Sequence, residues 1–169
     1  EIKNNHNYLL DKLDKNREYL LLVLGGPNKY YDFNSKNLIN VFEKIKKILQ
    51  TNNLQAIVLS SMRTPKTTID LADKYLGGQN LIIKDIDKKA YLSGLSLAKY
   101  IVVTCDSTSM ISEAALTGKP IYIAEIPSKK NDNRFKKFRD IFSKMNISKR
   151  LDENVTIWSY KSLNETSRI

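Results

Sequence analysis

Short apolar segments alternate along this chain with longer segments that carry apolar residues at helical spacing. The apolar segments lie at 19–24, 54–60, 80–84, 100–104 and 120–124. The segments between them have the period of amphipathic helices, most clearly at 37–49 and more briefly at 67–76 and 88–97. Strands that alternate with helices form parallel sheets with crossover helices. The pattern therefore predicts an α/β fold: a doubly wound, mostly parallel sheet with helices on both faces, as in Rossmann-like domains.

The length of the chain suits one domain with a short segment in front of it. The 169 residues, of which 41% are apolar, are enough to bury a core of ordinary size. Residues 1–18 are predicted to form a helical linker segment and residues 19–169 the domain itself, with a short helix at 162–169. Because the first residue is Glu1 rather than Met, we expect an N-terminal partner domain to precede this segment.

Composition excludes several classes of protein and site. No apolar run approaches the roughly 18 residues that span a bilayer, and the charged, Asn-rich beginning lacks the features of a signal peptide. Cys105 is the single cysteine and His6 the single histidine, so a disulfide framework, a zinc site and a Ser–His triad are excluded within the chain. We expect a cytoplasmic protein in a reducing compartment, with no metal and no cofactor.

The segment 104–120, TCDSTSMISEAALTGKP, has the pattern of a strand end, a hydroxyl-rich turn and a short helix. The first amides of a helix have no partners within it, and together with the positive end of the helix dipole they bind anions. Ser107, Thr108 and Ser109 add hydroxyl donors at that point. The segment is therefore predicted to hold a phosphate or a pyrophosphate. The alternative is an ordinary helix cap, because any such connection favours Ser, Thr or Asp.

Glu113 follows Ser109 by four residues, so both side chains lie on one side of the predicted helix. Helical side chains lean toward the N-terminus of their helix, and a carboxylate accepts hydroxyl groups well. We therefore predict that Glu113 contacts a sugar hydroxyl beside the bound phosphate. The alternative is a solvated carboxylate that only complements the helix dipole.

Two more turns at the predicted carboxyl edge of the sheet carry groups that bind anions. In open parallel sheets, ligands bind outside the carboxyl ends of the strands. Gly25 and Gly26 follow the first strand and allow backbone amides to approach a ligand closely. Ser60, Arg63 and Thr64 end or follow the second strand, and a guanidinium group is suited to clamp a phosphate. The alternatives are an ordinary tight turn and a solvated arginine, since neither a GxGxxG nor a Walker pattern is present.

The chain is strongly basic. Its 28 lysine and arginine residues exceed its 18 acidic residues, and the segment 129–150, which begins at Lys129 and ends at Arg150, contains nine basic and two acidic residues. This excess predicts a surface attracted to phosphate-rich partners, including peripheral contact with an anionic membrane. The alternative is a general compositional bias, because lysine is abundant throughout the chain. Phenylalanines recur in the segment at helical spacing together with Ile141 and Met145, which favours a buried face, and no nucleic-acid binding is expected.

Several of these motifs together resemble the mitochondrial-fission Elm-type family, which also occurs in bacteria. The resemblance rests on LGGPNKYY at 24–31, SSMRTP at 60–65 and VTCDSTSMISEAALTGKPIYI at 103–123, with further support from RFKKFRDIF and LNETSRI. It runs from about residue 19 to the end of the chain. It implies the C-terminal half of a two-domain protein similar to the glycosyltransferase B fold, in which a nucleotide sugar binds in the cleft between the domains.

The resemblance also implies roles for the candidate residues. In such glycosyltransferases the helix after a late strand binds the donor pyrophosphate, at positions that match 107–109 here. An acid one turn later, which matches Glu113, holds the ribose, and the loop with the glycine pair contacts phosphate. One departure is that Cys105 and Asp106 replace the usual glycine-rich stretch. Asp106 would repel a diphosphate unless it caps the helix.

The function predicted from these residues is a nucleotide-sugar (nucleoside diphosphate) binding domain of a glycosyltransferase-like protein, with phosphates held at helix N-termini without a metal. The base that activates the acceptor would lie on the partner domain, so the chain by itself is expected to be inactive. The alternative is a non-enzymatic adaptor in membrane, organelle or cell-envelope processes, which would keep the fold as a scaffold and use the basic segment.

Overall fold

The computed structural model describes residues 1–163. In this part of the chain, six parallel strands form one sheet in the order β3-β2-β1-β4-β5-β6. The strands are β1 (Glu18–Leu24), β2 (Leu54–Ser60), β3 (Leu81–Ile83), β4 (Tyr100–Thr104), β5 (Ile121–Ala124) and β6 (Ser148–Arg150). The helices are α1 (Ser35–Asn52), α2 (Lys66–Leu76), α3 (Lys88–Leu97), α4 (Thr108–Ala114) and α5 (Asn133–Lys144), with 3-10 helices at Lys3–Lys12 and Ala115–Thr117. The predicted doubly wound α/β fold is confirmed.

Helices cover both faces of the sheet because alternate strand residues point to opposite sides. In β1, Leu20, Leu22 and Leu24 pack with the buried faces of α1 and α2. Leu21 and Val23 pack on the other side, with buried residues of α3, α4 and α5. A strand buried on both faces needs an almost continuous apolar sequence, which is why the sequence of β1 identifies it so clearly.

The strand order reverses between β1 and β4. β2 and β3 extend the sheet on one side of β1, and α3 crosses back so that β4 pairs with the other side, in a register that joins Leu20 to Tyr100 and Val23 to Val103. In open parallel sheets such a reversal leaves a crevice at the carboxyl ends of the two central strands, where ligands bind. The turns after β1 and β4 therefore lie at the crevice.

Residues 1–18, predicted as a helical linker segment, form the 3-10 helix Lys3–Lys12 and a turn before β1. This helix packs on α3. Leu9 is fully buried, its amide donates to Ser93 Oγ (3.2 Å), and the Ser93 hydroxyl donates to the His6 carbonyl (3.0 Å). The segment is thus attached to α3 through its helix, and Asp14 and Arg17 after the helix bond to Gln55 and Leu54 of β2.

Two strands differ from the sequence-based expectation. β3 is shorter than the predicted 80–84, because the side chain of Asn80 accepts from the Ala56 amide (2.8 Å) and donates to the Leu76 carbonyl (2.6 Å). β6 has no counterpart in the prediction, because its sequence, SKR, contains no apolar residue; pairing with β5 makes it a strand.

The short helix predicted at 162–169 lies mostly outside the described residues. Within residues 1–163, no helix combines the length and the apolar character that crossing a membrane requires.

Candidate functional site

Three turns meet at the carboxyl edge of the sheet, as the parallel topology predicts. The Gly25 amide, after β1, donates to Thr104 Oγ1 at the end of β4 (2.8 Å). The Thr64 hydroxyl, after β2, donates to the Gly25 carbonyl (2.7 Å), and its oxygen accepts from the Ser61 amide (2.8 Å). These bonds hold the turns together. They also occupy the Thr64 hydroxyl, which was predicted to bind a ligand, with a structural role.

Asp106 lies at the centre of this edge. Its side chain is fully buried, and Oδ2 accepts from the Gly26 amide (3.1 Å) and from Arg63 Nη2 (2.8 Å). Arg63 Nη1 also donates to the Gly26 carbonyl (3.2 Å). Asp106 Oδ1 is enclosed and has no hydrogen-bond partner within residues 1–163. A buried carboxylate requires a counter-charge and hydrogen-bond donors, and Arg63 together with Gly26 supplies both.

The glycine pair permits close packing of the turns after β1, β2 and β4. Both amides, predicted to contact phosphate, donate instead to protein acceptors, Thr104 and Asp106. A Cβ atom on Gly25 would lie 2.1 Å from Asp106 Oδ2, and one on Gly26 would lie 2.1 Å from the Arg63 carbonyl oxygen. A buried carboxylate and a threonine hydroxyl, both brought in by β4, accept from these two amides, and their contact with a phosphate stays a prediction.

Ser107, and not Asp106, caps α4. Its Oγ accepts from the Met110 amide (3.3 Å), and the residue is buried. Thr108 is half-buried and Ser109 is exposed, with its Oγ 3.5 Å from the Ser107 Oγ. The predicted hydroxyl cluster is thus present at the N-terminus of α4, and the charge of Asp106 is neutralised by an arginine instead of by the helix amides.

Glu113 is exposed on α4, one turn beyond the hydroxyl cluster, and it is held by α3. Tyr91 donates its hydroxyl to Glu113 Oε2 (2.8 Å). Among residues 1–163 this is the one hydrogen bond that the Glu113 side chain forms. Burial, followed by the Glu113 carboxylate, raises the pKa of Tyr91 far above its ordinary value. The phenol therefore stays protonated and remains a hydrogen-bond donor.

A cavity of about 220 Å³ opens beside this pair, at the carboxyl ends of β1 and β2. Its lining includes Ser60, Ser61, Met62, Ile86, Met110 and Glu113. Met62 and Ile86 are apolar side chains left 90% and 58% exposed. Ser60 Oγ is enclosed and finds no hydrogen-bond partner in the described part of the chain. The exposed apolar side chains of Met62 and Ile86 suit the apolar face of a ligand.

Sequence reasoning identified Ser60 and Glu113 but missed Tyr91, Met62 and Ile86. Met62 and Ile86 follow β2 and β3, so their position at the carboxyl edge was a usable signal. Tyr91 offered no such signal, because it lies within a helix and only the packing of α3 beside α4 brings it to Glu113.

A buried charged cluster ties the loop after β1 to α5. Tyr31 is fully buried and donates its hydroxyl to Asp132 Oδ2 (2.5 Å), while Arg139 Nη1 donates to the Tyr31 oxygen (3.1 Å). Burial and the Asp132 carboxylate raise the pKa of Tyr31. Tyr31 also forms an antiparallel bridge with Ser128. The cluster fixes the loop but offers no metal site: within residues 1–163, no three His, Cys, Asp or Glu side chains are grouped to hold an ion.

The basic segment 129–150 forms α5 and β6. Phe135 and Phe142 are buried, as their spacing predicts. The exposed positions of α5 and the residue after it carry Asn133, Arg134, Lys136, Lys137, Asp140, Ile141, Ser143, Lys144 and Met145. Ile141 and Met145, which were predicted to share the buried face, are instead 57% and 44% exposed. The helix therefore shows solvent a basic surface with apolar side chains within it.

Solved structures that share this fold include three proteins connected with UDP or a UDP-sugar by name. One is a Listeria monocytogenes protein assigned as a UDP-N-acetylglucosamine 2-epimerase (TM-score 0.59, 16% identity), one is S. aureus MnaA in a co-structure with UDP (0.59, 13%), and one is another UDP-N-acetylglucosamine 2-epimerase (0.54, 16%). The matches cover 90%, 88% and 86% of this chain but 38%, 40% and 34% of those chains. At such identities they show the fold alone, which is of the glycosyltransferase B type.

Relatives in sequence identify the family. Uncharacterized protein RP120 of Rickettsia prowazekii (strain Madrid E) is 31% identical over 160 residues, which are 90% of this chain and 45% of that protein. The chain thus spans about half the length of this curated relative. The family model for mitochondrial fission ELM1 matches residues 1–169. As the motifs in its turns predicted, the chain belongs to the mitochondrial fission ELM1 family.

Proposed function

We propose that this chain binds the nucleoside diphosphate part of a nucleotide sugar at the carboxyl edge of its sheet. In this proposal Ser107, Thr108 and Ser109 contact the phosphates, Glu113 contacts the ribose, and the base enters the cavity beside Met62. One observation carries the proposal: a hydroxyl cluster, a carboxylate held in place and a cavity lined by Met110 and Glu113 lie together on α4.

α4 gives the ligand its direction. The N-terminal amides and the helix dipole attract phosphate, whereas the Glu113 carboxylate repels it. Ser109 and Glu113 are four residues apart, which corresponds to about 6 Å along a helix. In a nucleotide, the ribose hydroxyls lie a comparable step beyond the phosphates, and the base lies beyond the ribose. A nucleoside diphosphate therefore fits with its phosphates at the cap and its base in the cavity.

The charge of Asp106 does not prevent an anion from binding beside it. Arg63 neutralises the Asp106 carboxylate, yet the Arg63 side chain remains 45% exposed. A guanidinium group has five N–H donors. The Nη1 and Nη2 groups of Arg63 each donate one hydrogen bond to the protein. The exposed part of the group is thus available to a phosphate while Asp106 stays paired.

Two further observations support a nucleotide ligand. The matched S. aureus structure holds UDP, and the other two proteins are named for a UDP-sugar. This support is an analogy of fold. Independently of it, the exposed apolar side chains of Met62 and Ile86 line the cavity together with Ser60, and such a surface would suit the flat face of a base.

For the whole protein we infer a glycosyltransferase-like activity. The N-terminus of α4 and Arg63 would stabilise a leaving diphosphate without a metal, and the base that activates the acceptor would come from a partner domain in the preceding part of the protein. The chain by itself then binds nucleotide but transfers no sugar. We place this activity in the cytoplasm.

Calorimetric titration with UDP, GDP and ADP tests the binding proposal. We expect the wild-type chain to bind at least one of them, and Glu113→Ala to weaken that binding about tenfold or more, since a hydrogen bond to a charged group contributes roughly 1.5–3 kcal/mol. Glu153→Ala is the matched control, because Glu153 is an exposed glutamate paired with Lys47 of α1. Failure of all three nucleotides to bind, or unchanged binding by Glu113→Ala, contradicts the proposal.

A second candidate function is that of a non-enzymatic adaptor at an anionic membrane. It is favoured by the exposed surface of α5, where Ile141 and Met145 lie among Arg134, Lys137 and Lys144. Apolar side chains flanked by cations are typical of helices that lie at a membrane interface.

Vesicle sedimentation tests the adaptor function. Binding to phosphatidylcholine vesicles should require added phosphatidylglycerol and should fall with salt, because surface charges are screened. The double variant Lys137→Glu/Lys144→Glu should abolish it, and Glu113→Ala should leave it unchanged. Equal binding to neutral vesicles, or binding that survives the double variant, contradicts this function.

A further inference from the structure

We infer that Tyr91 is a positioning residue, which fixes Glu113 so that the site accepts the cis-diol of a ribonucleotide and discriminates against 2′-deoxynucleotides. The inference rests on the proposed nucleotide function. It adds discrimination against 2′-deoxynucleotides and a residue of α3 that touches the carboxylate rather than the reacting part of the ligand.

Tyr91 limits the conformational freedom of the Glu113 side chain. An exposed glutamate samples several rotamers, and this freedom is lost when the side chain binds a ligand. Here the Tyr91 hydroxyl donates to Glu113 Oε2 (2.8 Å) and restricts those rotamers before any ligand arrives. Tyr91 can do so because it is itself half-buried in α3, and because its raised pKa keeps the hydroxyl protonated.

The Glu113 carboxylate keeps further acceptor positions after it has accepted from Tyr91. A carboxylate has two oxygens with about four lone-pair positions. Tyr91 uses one position on Oε2, and Oε1 has no partner among residues 1–163. A fixed carboxylate with these positions free matches two neighbouring hydroxyls. A ligand that lacks the 2′-hydroxyl leaves part of this acceptor unpaired, and sites built to bind a hydroxyl discriminate strongly against analogues without it.

Two cavities lie beside the hydrogen-bonded pair of Tyr91 and Glu113. Tyr91 and Glu113 both line the cavity next to Met62 and a second cavity of about 580 Å³ on the side of the 3-10 helix Lys3–Lys12. The hydrogen-bonded pair thus separates the two spaces. Without the Tyr91 hydroxyl, Glu113 is free to turn between them, and the ribose loses a defined partner.

Paired titrations of ribonucleotides and deoxyribonucleotides test this inference. The nucleotide that binds most tightly among UDP, GDP and ADP is compared by calorimetry with its 2′-deoxy counterpart. We expect the wild-type chain to prefer the ribonucleotide by about tenfold or more, the size of effect that one hydrogen bond to a charged group produces. Tyr91→Phe keeps the ring and removes only the hydroxyl. It should reduce this preference to about threefold or less while the deoxynucleotide affinity stays within about twofold of wild type.

Tyr19→Phe is the matched control. Tyr19 is also a tyrosine with little exposure that donates one hydrogen bond, to the Asp14 carbonyl (2.7 Å), but it lies at the start of β1, at the opposite end of the strand from the site. It should lower the melting temperature by an amount similar to Tyr91→Phe and leave the preference for ribonucleotides unchanged.

The possible results separate the inference from the proposed function. If UDP, GDP and ADP all fail to bind, the proposed function is wrong and the inference is overturned with it. If the wild type binds ribonucleotide and deoxynucleotide equally, or if Tyr91→Phe keeps the full preference, the inference alone is overturned.

Discussion

Arg63 and Asp106 form an ion pair with one exposed and one buried partner: Nη2 lies 2.8 Å from Oδ2, and the side chains are 45% and 0% exposed. The pair joins the turn after β2 to the turn after β4, and both residues also bond to Gly26 in the turn after β1. One charge pair thus contacts the turns after three strands, in addition to the hydrogen bonds that Gly25 forms with Thr104 and Thr64.

Arg63→Ala should destabilise the fold, because it leaves the Asp106 carboxylate buried without its counter-charge. We expect a loss of about 2 kcal/mol in the free energy of unfolding, less than for a fully buried pair because Arg63 is partly exposed. Urea unfolding measures the change. Adding Asp106→Asn to Arg63→Ala should recover part of the loss, since the uncompensated charge is removed; a double variant no more stable than Arg63→Ala would show that charge is not the reason.

Gly25→Ala and Gly26→Ala should each destabilise the fold by about 3 kcal/mol, the upper range for overpacking. The added methyl groups would lie 2.1 Å from Asp106 Oδ2 and 2.1 Å from the Arg63 carbonyl oxygen. Gly78→Ala is the control, because a Cβ atom there has no neighbour within 4 Å, although its φ of +84° carries strain of its own. Thermal unfolding that ranks Gly78→Ala with the other two would contradict the packing argument.

Tyr31→Phe should cost about 1–2 kcal/mol of stability, because it removes a hydroxyl that bonds to both Asp132 and Arg139 in a buried cluster. Tyr30→Phe is the matched change at the neighbouring position. The Tyr30 ring makes a tilted contact with the Phe135 ring, with the ring centroids 5.0 Å apart. Within residues 1–163 the Tyr30 hydroxyl forms no hydrogen bond. Denaturant unfolding of the two variants should therefore differ, and equal stabilities would exclude the role assigned to the Tyr31 hydroxyl.

Stability should fall at alkaline pH through Cys105. Burial raises the pKa of this thiol from 9.0 to about 11. Between these values the unfolded chain has released the thiol proton while the folded chain still holds it, so the free energy of unfolding decreases as pH rises, by about 2–3 kcal/mol in all. Below pH 9 the full contribution is present.

Comparison of the wild type with Cys105→Ala isolates this effect from the tyrosines that titrate in the same range. The difference in unfolding free energy between the two proteins, measured in urea from about pH 8 to about pH 11, should shrink as pH rises. A constant difference would show that the thiol has the same pKa in both states.

Much of the fold could be predicted because its signals are local. A strand such as β1 is buried on both faces and must be apolar throughout, whatever its neighbours are. The cap of α4 was equally local, since Ser107 bonds to Met110 within one turn. β6 could not be predicted, because its residues become a strand only through pairing with β5.

The candidate site, like the fold, could be predicted only in part. The order of strands and turns in the sequence brought Gly25, Arg63 and Ser107 to one edge, because parallel strands with crossover helices place all their carboxyl ends together. It did not predict that Asp106 would take the Gly26 amide and Arg63, since that depends on β4 lying directly beside β1.

The sequence by itself determined the α/β fold, the edge at which its polar turns gather and the hydroxyl cap of α4, because hydrophobic period and capping act over a few residues. Only the tertiary structure decided which donors remain for a ligand and which hold the protein together. Residues far apart in the chain, such as Tyr91 and Glu113 or Arg63 and Asp106, bond to each other, and whether they do so depends on distances of a few tenths of an ångström that no local pattern encodes.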